Sequence, residues 1–365
     1  MNLSEIGLVL KQLDSAESIK GTEFDDIVHA QGGNDTVRAG SGDDIIYGGK
    51  GNDELYGENG NDILAGGSGN DILNGGDGND TYIYNIGDGL DIIHDWQNSS
   101  ENNLDKIKFG AGIAFDDLTF RRNGNDLIIT LFDDETQGIR IADQFYGDSY
   151  SIEYLEFADG TQFDLKNSGL TLVQSDADDN MSGTDFNDTV YGNGGNDTIY
   201  AGNGNDTLIG GTGNDYLNGG YGDDTYVWNL GDGFDKIVES DGSDKIVFGE
   251  GVSFDDLTFE RSGQSLNIYV NGDRTQGVQL YDHFYSNSYS VEYLEFADGT
   301  QFDLKNNGLT FVQSDADDNM SGTDFNDTIY GNGGNDTIYA GNGNDTLVGG
   351  TGNDYLNGGY GDDTY

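Results

Sequence analysis

The sequence has 365 residues, of which 68 are acidic and only 15 are basic, so its formal net charge is −53. A charge of this size opposes any compact state unless cations neutralise it, and it excludes nucleic acid as a partner, because phosphate binding needs clustered Lys and Arg. The chain contains no Cys and no Pro, so we expect no disulfide, thiolate nucleophile or thiolate zinc ligand.

The first 20 residues precede any repeat, and we predict that they form an N-terminal cap. Their apolar run, Ile6–Leu10, is short and follows no basic segment, which is not typical of a secretory signal peptide. No stretch of the chain approaches the roughly 20 consecutive apolar residues that a membrane-spanning helix requires. We therefore expect neither an N-terminal signal peptide nor a membrane span.

From Gly21 the sequence divides into seven nonapeptides that end at Ile83, such as GGKGNDELY, GENGNDILA and GGSGNDILN. Two further runs of five begin at Gly183 and Gly322, and the last nonapeptide of the third run is incomplete. Each nonapeptide has Asp in the sixth place, and an apolar or aromatic residue stands in the eighth place. So strict a period predicts a repeat architecture rather than a disordered acidic chain.

The residue types predict the local structure of each nonapeptide. Glycines in the first, second and fourth places permit positive φ, so the first six residues can form a tight turn. The last three residues are expected to be extended, with only the eighth side chain pointing inward. Two nonapeptides then make one coil, and stacked coils give two parallel sheets around a thin core.

That core is too thin to hold the fold alone. One buried Leu or Val contributes roughly 1.5–3 kcal/mol, whereas ordering the backbone costs about 1–2 kcal/mol per residue. Aspartates of turns n and n+2 should converge with glycine carbonyls between them. An all-oxygen ligand set of this kind suits Ca²⁺ better than Mg²⁺. Zn²⁺ is disfavoured because neither thiols nor clustered imidazoles are available.

The pattern G-G-x-G-x-D-x-U-x, in which U is apolar, resembles the RTX, or haemolysin-type, calcium-binding repeat. The resemblance implies a parallel β-roll with Ca²⁺ between turns, bound by the sixth-place Asp side chains and by backbone carbonyls of the first four places. The implied aspartate ligands are Asp26, Asp35, Asp44, Asp53, Asp62, Asp71 and Asp80, then Asp188, Asp197, Asp206, Asp215 and Asp224, and finally Asp327, Asp336, Asp345, Asp354 and Asp363. The implied carbonyl ligands are those of Gly40, Gly42, Gly49, Gly51, Gly67, Gly69, Gly76, Gly78, Gly202, Gly204, Gly211, Gly213, Gly220, Gly222, Gly341, Gly343, Gly350, Gly352, Gly359 and Gly361. Runs of seven, five and five nonapeptides imply about 11 calcium ions.

The ends of the runs depart from this pattern. The opening nonapeptides carry Thr in the second place and Phe in the fourth, so Phe24, Phe186 and Phe325 are predicted to cap the rolls. After the first two runs the period loosens, and we predict four further ligands, which are Asp91, Asp105, Asp235 and Asp244. The first copy differs from the second by an insertion of five residues around Gln97–Glu101.

Two related spacers separate the runs. Residues 115–131 and 254–270 alternate apolar and polar around a short turn, and the FADGTQFDL segments carry a DG turn, so all four are predicted to be hairpins. The spacers resemble the β-rich domain that follows RTX runs in large secreted proteins. Two roles remain open. They cap the thin edges of the rolls, which we favour, or they bind a ligand through aromatic side chains, namely Phe145, Tyr146, Tyr150 and Tyr154 with their counterparts Phe284, Tyr285, Tyr289 and Tyr293.

The predicted fold class is therefore all-β, with parallel β-roll solenoids joined by antiparallel β-rich spacers. The predicted segments are the cap (1–20), roll 1 (21–110), spacer 1 (111–182), roll 2 (183–249), spacer 2 (250–321) and the incomplete roll 3 (322–365).

We expect no catalysis within these residues. The sequence contains neither H-E-x-x-H nor G-x-S-x-G, and the histidines are only His29, His94 and His283. Pairs of carboxylates could serve glycoside chemistry, but most of the acidic residues stand in a metal-ligand register. The resemblance implies a protein of the cell exterior or cell surface, which folds on Ca²⁺ after export and acts as a structural or adhesive rod. Candidate partners are a cell-surface or matrix polysaccharide or protein. The alternative is the calcium-binding tail of a secreted lipase, protease or alginate epimerase.

Overall fold

The computed structural model describes residues 7–11, 14–97, 104–147 and 149–365. Strands make up 51% of the structure and helix only 2%, which confirms the all-β prediction. The chain divides into two compact units, Met1–Leu172 and Val173–Tyr365. Among the described residues, no helix has the length and apolar character needed to cross a membrane.

The first unit begins with short strands of the roll and ends with those of the spacer. Its roll strands are β1 Val9–Lys11, β2 Ser18–Lys20, β3 Ile27–Gly32, β4 Thr36–Ser41, β5 Ile45–Lys50, β6 Glu54–Asn59, β7 Ile63–Ser68, β8 Ile72–Asp77, β9 Thr81–Tyr84, β10 Leu90–Ile93 and β11 Lys106–Phe109. A 3₁₀ turn at Phe115–Asp117 precedes β12 Leu118–Asn123, β13 Asp126–Leu131, β14 Asp134–Ile141, β15 Tyr154–Glu156, β16 Gln162–Asp164 and β17 Thr171–Val173.

Alternate strands of the roll pair in parallel, so that two sheets face each other. One sheet has the order β1-β3-β5-β7-β9-β11, and the other begins β2-β4-β6-β8-β10. Val28 lies opposite Ile46, and Ile46 lies opposite Leu64, a register of two nonapeptides per coil. These three eighth-place side chains are fully buried between the sheets. The predicted parallel β-roll is confirmed.

The strands are longer than the repeat pattern predicted. β5, for example, begins in the seventh place of one nonapeptide and continues to the third place of the next. First-place side chains therefore point inward together with the eighth, as fully buried Val28 and Ala30 show. The prediction that only three residues are extended was wrong because glycines let successive backbones approach: a Cβ at Gly67 would lie 2.2 Å from the carbonyl oxygen of Gly49.

The spacer of the first unit continues both sheets of the roll. Strands β12, β13 and β14 form an antiparallel meander, and β14 pairs in parallel with β10. Strand β15 pairs in parallel with β11 and forms a hairpin with β16. The hairpins predicted at 115–131 and in FADGTQFDL are confirmed. The last roll strand of each sheet has a spacer strand as its partner, which covers an otherwise exposed sheet edge.

The second unit repeats this arrangement. Its strands are β18 Asn180–Ser182, β19 Thr189–Tyr191, β20 Thr198–Asn203, β21 Thr207–Ile209, β22 Tyr216–Tyr221, β23 Thr225–Trp228, β24 Phe234–Val238, β25 Asp244–Phe248, β26 Leu257–Ser262, β27 Ser265–Val270, β28 Asp273–Leu280, β29 Val291–Phe296, β30 Gln301–Asp303, β31 Thr310–Val312, β32 Asn319–Ser321, β33 Thr328–Tyr330, β34 Thr337–Asn342, β35 Thr346–Val348 and β36 Tyr355–Tyr360, with 3₁₀ turns at Phe254–Asp256 and Asn287–Tyr289. β28 pairs in parallel with β24 and β29 with β25, as in the first unit.

Part of the predicted N-terminal cap forms an additional coil of the roll. β1 pairs in parallel with β3, and β2 pairs in parallel with β4, ahead of the first nonapeptide. Residues 1–6, 12 and 13 of that segment lie outside the described residues, as does most of the insertion around Gln97–Glu101. The division of the chain into six segments stays a prediction.

Candidate metal sites

The sixth-place aspartates stack in columns along each roll. The backbone N–H of Asp35 donates to Oδ1 of Asp53 at 2.8 Å, and that of Asp53 donates to Oδ1 of Asp71 at 2.7 Å. On the opposite edge, the N–H of Asp44 donates in the same way to Oδ1 of Asp62 at 2.8 Å. These carboxylates are at most 1% exposed. Stacked coils thus bring together carboxylates that are 18 residues apart.

Among the residues that the structure describes, the second oxygen of most of these carboxylates has no such partner. Buried Oδ2 atoms without a hydrogen-bond donor belong to Asp35, Asp44, Asp53, Asp62, Asp71, Asp80, Asp197, Asp206, Asp215, Asp224, Asp336 and Asp345. A buried carboxylate oxygen is costly unless a donor or a cation compensates it. One such oxygen in each of these twelve nonapeptides is the arrangement that a bound cation would satisfy.

Glycines keep the space beside these oxygens open. A Cβ at the first-place Gly48 would lie 2.3 Å from Oδ2 of Asp53 and 2.6 Å from the carbonyl oxygen of Gly66. Every glycine that the resemblance implies as a carbonyl ligand has positive φ. Successive coils also approach closely at these glycines: a Cβ at Gly69 would lie 1.8 Å from the carbonyl oxygen of Gly51. Columns of carboxylate and carbonyl oxygens fit the ligand preference of Ca²⁺.

Burial shifts the titration of the stacked carboxylates. Desolvation raises the pKa of Asp62 and Asp71 to about 7, and that of Asp80 to about 8. In the second roll it raises the pKa of Asp206 to about 7. Without a cation these groups hold protons near neutral pH, so a metal ion has to displace them.

The opening aspartates, Asp26, Asp188 and Asp327, have different partners. The backbone N–H of Thr22 donates to Oδ2 of Asp26 at 2.6 Å. At the second opening, both the N–H and the hydroxyl of Thr184 donate to Oδ2 of Asp188, and Thr323 does the same for Asp327. The second-place Thr therefore supplies donors where other nonapeptides leave an oxygen unpartnered. The capping role of the half-buried Phe24, Phe186 and Phe325 stays a prediction.

The columns continue past the strict repeats. The N–H of Asp71 donates to Oδ1 of Asp91 at 2.9 Å, although the two are 20 residues apart. The N–H of Asp80 donates to Oδ1 of Asp105 at 2.6 Å, although the two are 25 residues apart in sequence. In the second unit, Asp235 and Asp244 accept from Asp215 and Asp224, at 2.9 and 2.8 Å. In the third roll, Asp354 and Asp363 accept from Asp336 and Asp345, at 3.0 and 3.1 Å. The structure thus brings together every predicted aspartate with at least one other.

Two acidic residues that the repeat pattern did not predict, Asp95 and Glu239, lie beside the last aspartates of these columns. Oxygens of Asp80, Asp95 and Asp105 lie within 4.8 Å of one another, and so do oxygens of Asp224, Glu239 and Asp244. A signal for Glu239 was present in ESDGSDKIV (239–247), which is a nonapeptide with Glu in the first place. Asp95 is harder to find because an inserted segment separates it from Asp105.

Some spacer aromatics are not core residues. Tyr146 and Tyr285 are 67% and 68% exposed. In the second unit, Tyr285 lines a cavity of about 550 Å³ together with Arg261, His283 and Lys305. His283 is itself buried, and its Nδ1 has no hydrogen-bond partner among the described residues. Burial, with the charges of Arg261 and Lys305, lowers the pKa of His283 to about 4.

Comparison with known families identifies the repeats. The model of the RTX calcium-binding nonapeptide repeat matches residues 20–55, 56–91, 174–208, 200–236, 313–347 and 339–365, just over half of the chain. The model of the haemolysin-type calcium binding protein related domain matches residues 126–167 and 266–306, which lie in the spacers.

Comparison with individual proteins found less. No curated protein sequence matches the chain. A solved structure with local similarity is the extracellular lipase LipA from Serratia marcescens, with 18% identity and a TM-score of 0.23. That match covers 74% of this chain and 36% of the lipase. The extent of the nonapeptide match, together with the parallel roll and its stacked aspartates, shows that the chain belongs to the family of RTX calcium-binding repeat proteins.

Proposed function

We propose that this calcium-binding RTX module is exported, folds when it binds Ca²⁺ outside the cell, and acts there as a structural or adhesive rod. The observation that carries the proposal is the column of buried Oδ2 atoms without a partner. The proposed ligands are the sixth-place aspartates, the carbonyls of the glycines named in the sequence analysis, and Asp91, Asp105, Asp235 and Asp244.

The mechanism follows from the charge of the chain. At low cytosolic Ca²⁺, repulsion among 68 acidic residues keeps the chain unfolded, as passage through a secretion channel requires. Outside the cell, calcium cancels that repulsion and occupies the spaces beside the stacked carboxylates. Because the sites do not exist in the unfolded chain, the free energy of calcium binding becomes free energy of folding.

Small-angle scattering of the purified chain tests the rod. In millimolar Ca²⁺ we expect the scattering of an elongated folded particle, and in EDTA that of an expanded chain. Mg²⁺ at the same concentration is the matched control and should leave the chain expanded. A compact, calcium-independent particle would contradict the proposal.

The cavity beside Tyr285 is the proposed adhesive surface. An exposed ring beside Arg261, Ser286 and Lys305 combines an apolar face with hydrogen-bond donors. Because two of these side chains are cationic, we expect an anionic polysaccharide to bind better than a neutral one.

Retention on alginate and dextran gels in Ca²⁺ tests this surface. Tyr285→Ala should lower retention on alginate, whereas Tyr221→Ala should not, because Tyr221 is equally exposed but does not line the cavity. Equal retention of both variants and the unmodified chain would exclude this surface as the polysaccharide site.

A further inference from the structure

Glu239 places a carboxylate in the core of the second roll. Leu217 lies opposite Ile237 and Asn218 opposite Val238, so the next residues, Gly219 and Glu239, occupy equivalent places in successive coils. In the repeats, that first place holds Gly or Ala and faces the interior. Glu239 is only 1% exposed. A carboxyl side chain thus stands where the strict repeats have a hydrogen atom or a methyl group.

Two donors contact the carboxyl group of Glu239, one at each oxygen. The hydroxyl of Tyr226 accepts from the N–H of Gly219 at 2.8 Å, which directs its own proton to Oε1 of Glu239. The other oxygen accepts from the N–H of Ser240 at 3.2 Å. Both oxygens of Glu239 accept a hydrogen bond in this geometry.

Two further carboxylates complete the cluster. Oxygens of Asp224, Glu239 and Asp244 all lie within 4.8 Å of one another, and all three residues are buried. Oδ2 of Asp224 is buried without a hydrogen-bond partner. Among the described residues, none of the three forms an ion pair. Three buried carboxylates with no opposite charge are strongly unfavourable unless they hold protons or a cation lies between them.

The first unit repeats the arrangement with different residues. The hydroxyl of Tyr82 accepts from the N–H of Gly75 at 2.7 Å and donates to Asp95 at 2.6 Å. Oxygens of Asp80, Asp95 and Asp105 lie within 4.8 Å of one another, and Oδ2 of Asp80 has no partner. The negative charge is retained although Asp replaces Glu and the intervening segment is longer.

Gln97 is an additional group in the first cluster. Its Nε2 donates to Asp95 at 3.1 Å and also to Asp105. A 180° turn of this amide would present the carbonyl oxygen, a ligand for hard cations, to the same space.

We propose that each of these two clusters binds one divalent, oxygen-preferring cation in the interior of the last coil, in addition to the ions held between the repeated turns. The identification of the cation as Ca²⁺ rests on the proposed function. The site differs from the repeated ones by its third carboxylate, which comes from the first place.

Each ion would connect the roll to its spacer. The N–H of Asp244 donates to Oε2 of Glu292 in β29 at 2.8 Å. In the first unit, the N–H of Asp105 donates to Oε2 of Glu153 at 2.8 Å. A cation held by Asp244 or Asp105 would therefore fix the residue on which the spacer carboxylate docks.

Counting bound ions in the full chain tests the inference. Equilibrium dialysis against Ca²⁺ followed by elemental analysis gives the number of ions and their dissociation constants. Glu239→Gln should abolish the binding of one ion or lower its affinity by roughly 10- to 100-fold. Asp95→Asn should do the same, and the double variant should affect two ions. Glu250→Gln, which removes an exposed carboxylate of the same unit, is the matched control and should change nothing.

Glu239→Gly guards against loss of the fold, because it restores the residue type that ordinary coils carry in this place. If this variant folds in Ca²⁺ and binds as many ions with unchanged affinity, the inference is overturned. If the unmodified chain binds no calcium at all, the proposed function fails as well. A chain that binds calcium and folds with it, but whose ion count is insensitive to Glu239 and Asp95, contradicts only the inference.

Discussion

At the scale of single residues, two classes of sixth-place aspartate share one position in the repeat. In the class of Asp53, one carboxylate oxygen accepts a backbone N–H and the other has no donor. In the class of Asp188, the second-place Thr184 donates to the second oxygen. Only the first class leaves a buried oxygen for a cation to satisfy.

Replacing one aspartate of each class tests this difference. Asp53→Ala should lower the cooperativity of calcium binding and raise its midpoint by about tenfold, since it removes a ligand from the middle of a column. Asp188→Ala should have a smaller effect, because the carboxylate it removes is already satisfied by Thr184. Isothermal titration calorimetry with Ca²⁺ measures the cooperativity and the midpoint for both variants. Equal effects would show that the opening nonapeptides bind ions as the others do.

The sequence predicted the sixth-place aspartates because their spacing is strict, and the structure stacks them as expected. Asp95 and Glu239 were missed for a physical reason. A first-place side chain faces the core, whereas the repeat pattern alone suggested that only the eighth-place side chain did so. In sequence, Asp95 is indistinguishable from a surface acid because the inserted segment breaks the period, whereas Glu239 stands in the first place of the recognisable nonapeptide ESDGSDKIV.

At the scale of elements, the close approach of successive coils requires glycine at particular positions. Gly67 has a φ of +93°, and a Cβ there would overlap the carbonyl of Gly49 in the preceding coil. Gly87 has nearly the same φ, +95°, but a Cβ there would meet nothing within 4 Å. An alanine at Gly87 would therefore carry only the cost of an unfavourable φ, whereas an alanine at Gly67 would carry that cost and a backbone clash as well.

Gly67→Ala should therefore destabilise the calcium-loaded chain more than Gly87→Ala, by about 1–3 kcal/mol. The excess arises because the added methyl group forces two stacked coils apart, whereas both variants share the strain of positive φ. Thermal unfolding in saturating Ca²⁺ gives the comparison. If the two variants melt at the same temperature, close packing of the coils at the second place is not what requires glycine.

In the spacers, the hairpins could be predicted from sequence but their pairing with the rolls could not. Their hairpins followed from turn residues and alternation. Their pairing with the rolls did not, because it depends on contacts distant in sequence, such as Gly138 opposite Leu90 and Tyr154 opposite Lys106. Parallel pairing of this kind leaves no local pattern by which it could be predicted.

At the scale of the whole molecule, buried carboxylates make the ion-free chain sensitive to pH. The pKa of Asp62 and Asp71 is raised to about 7 in the folded chain, and that of Asp80 to about 8, by burial. In the unfolded chain these groups titrate near 4. A raised folded-state pKa means that stability is fully present below the unfolded value and is lost as pH rises towards 7 and 8.

In EDTA, the β-sheet signal should accordingly be stronger at pH 5 than at pH 8. Protons compete with the metal, so the calcium midpoint should shift the opposite way and rise as pH falls. Circular dichroism at both pH values measures each effect. Repeating the comparison in high salt separates it from general charge repulsion, which salt screens. A stronger signal at pH 8 without calcium would contradict the assigned burial of these carboxylates.

The central claim is that calcium, rather than the thin apolar core, stabilises the rolls. Circular dichroism of the purified chain during titration with Ca²⁺, repeated with Mg²⁺, tests it most directly. We predict a cooperative gain of β-sheet signal with Ca²⁺ alone, because the stacked oxygens suit the larger, more flexibly coordinated ion. A chain that is already fully folded in EDTA at neutral pH would contradict the claim.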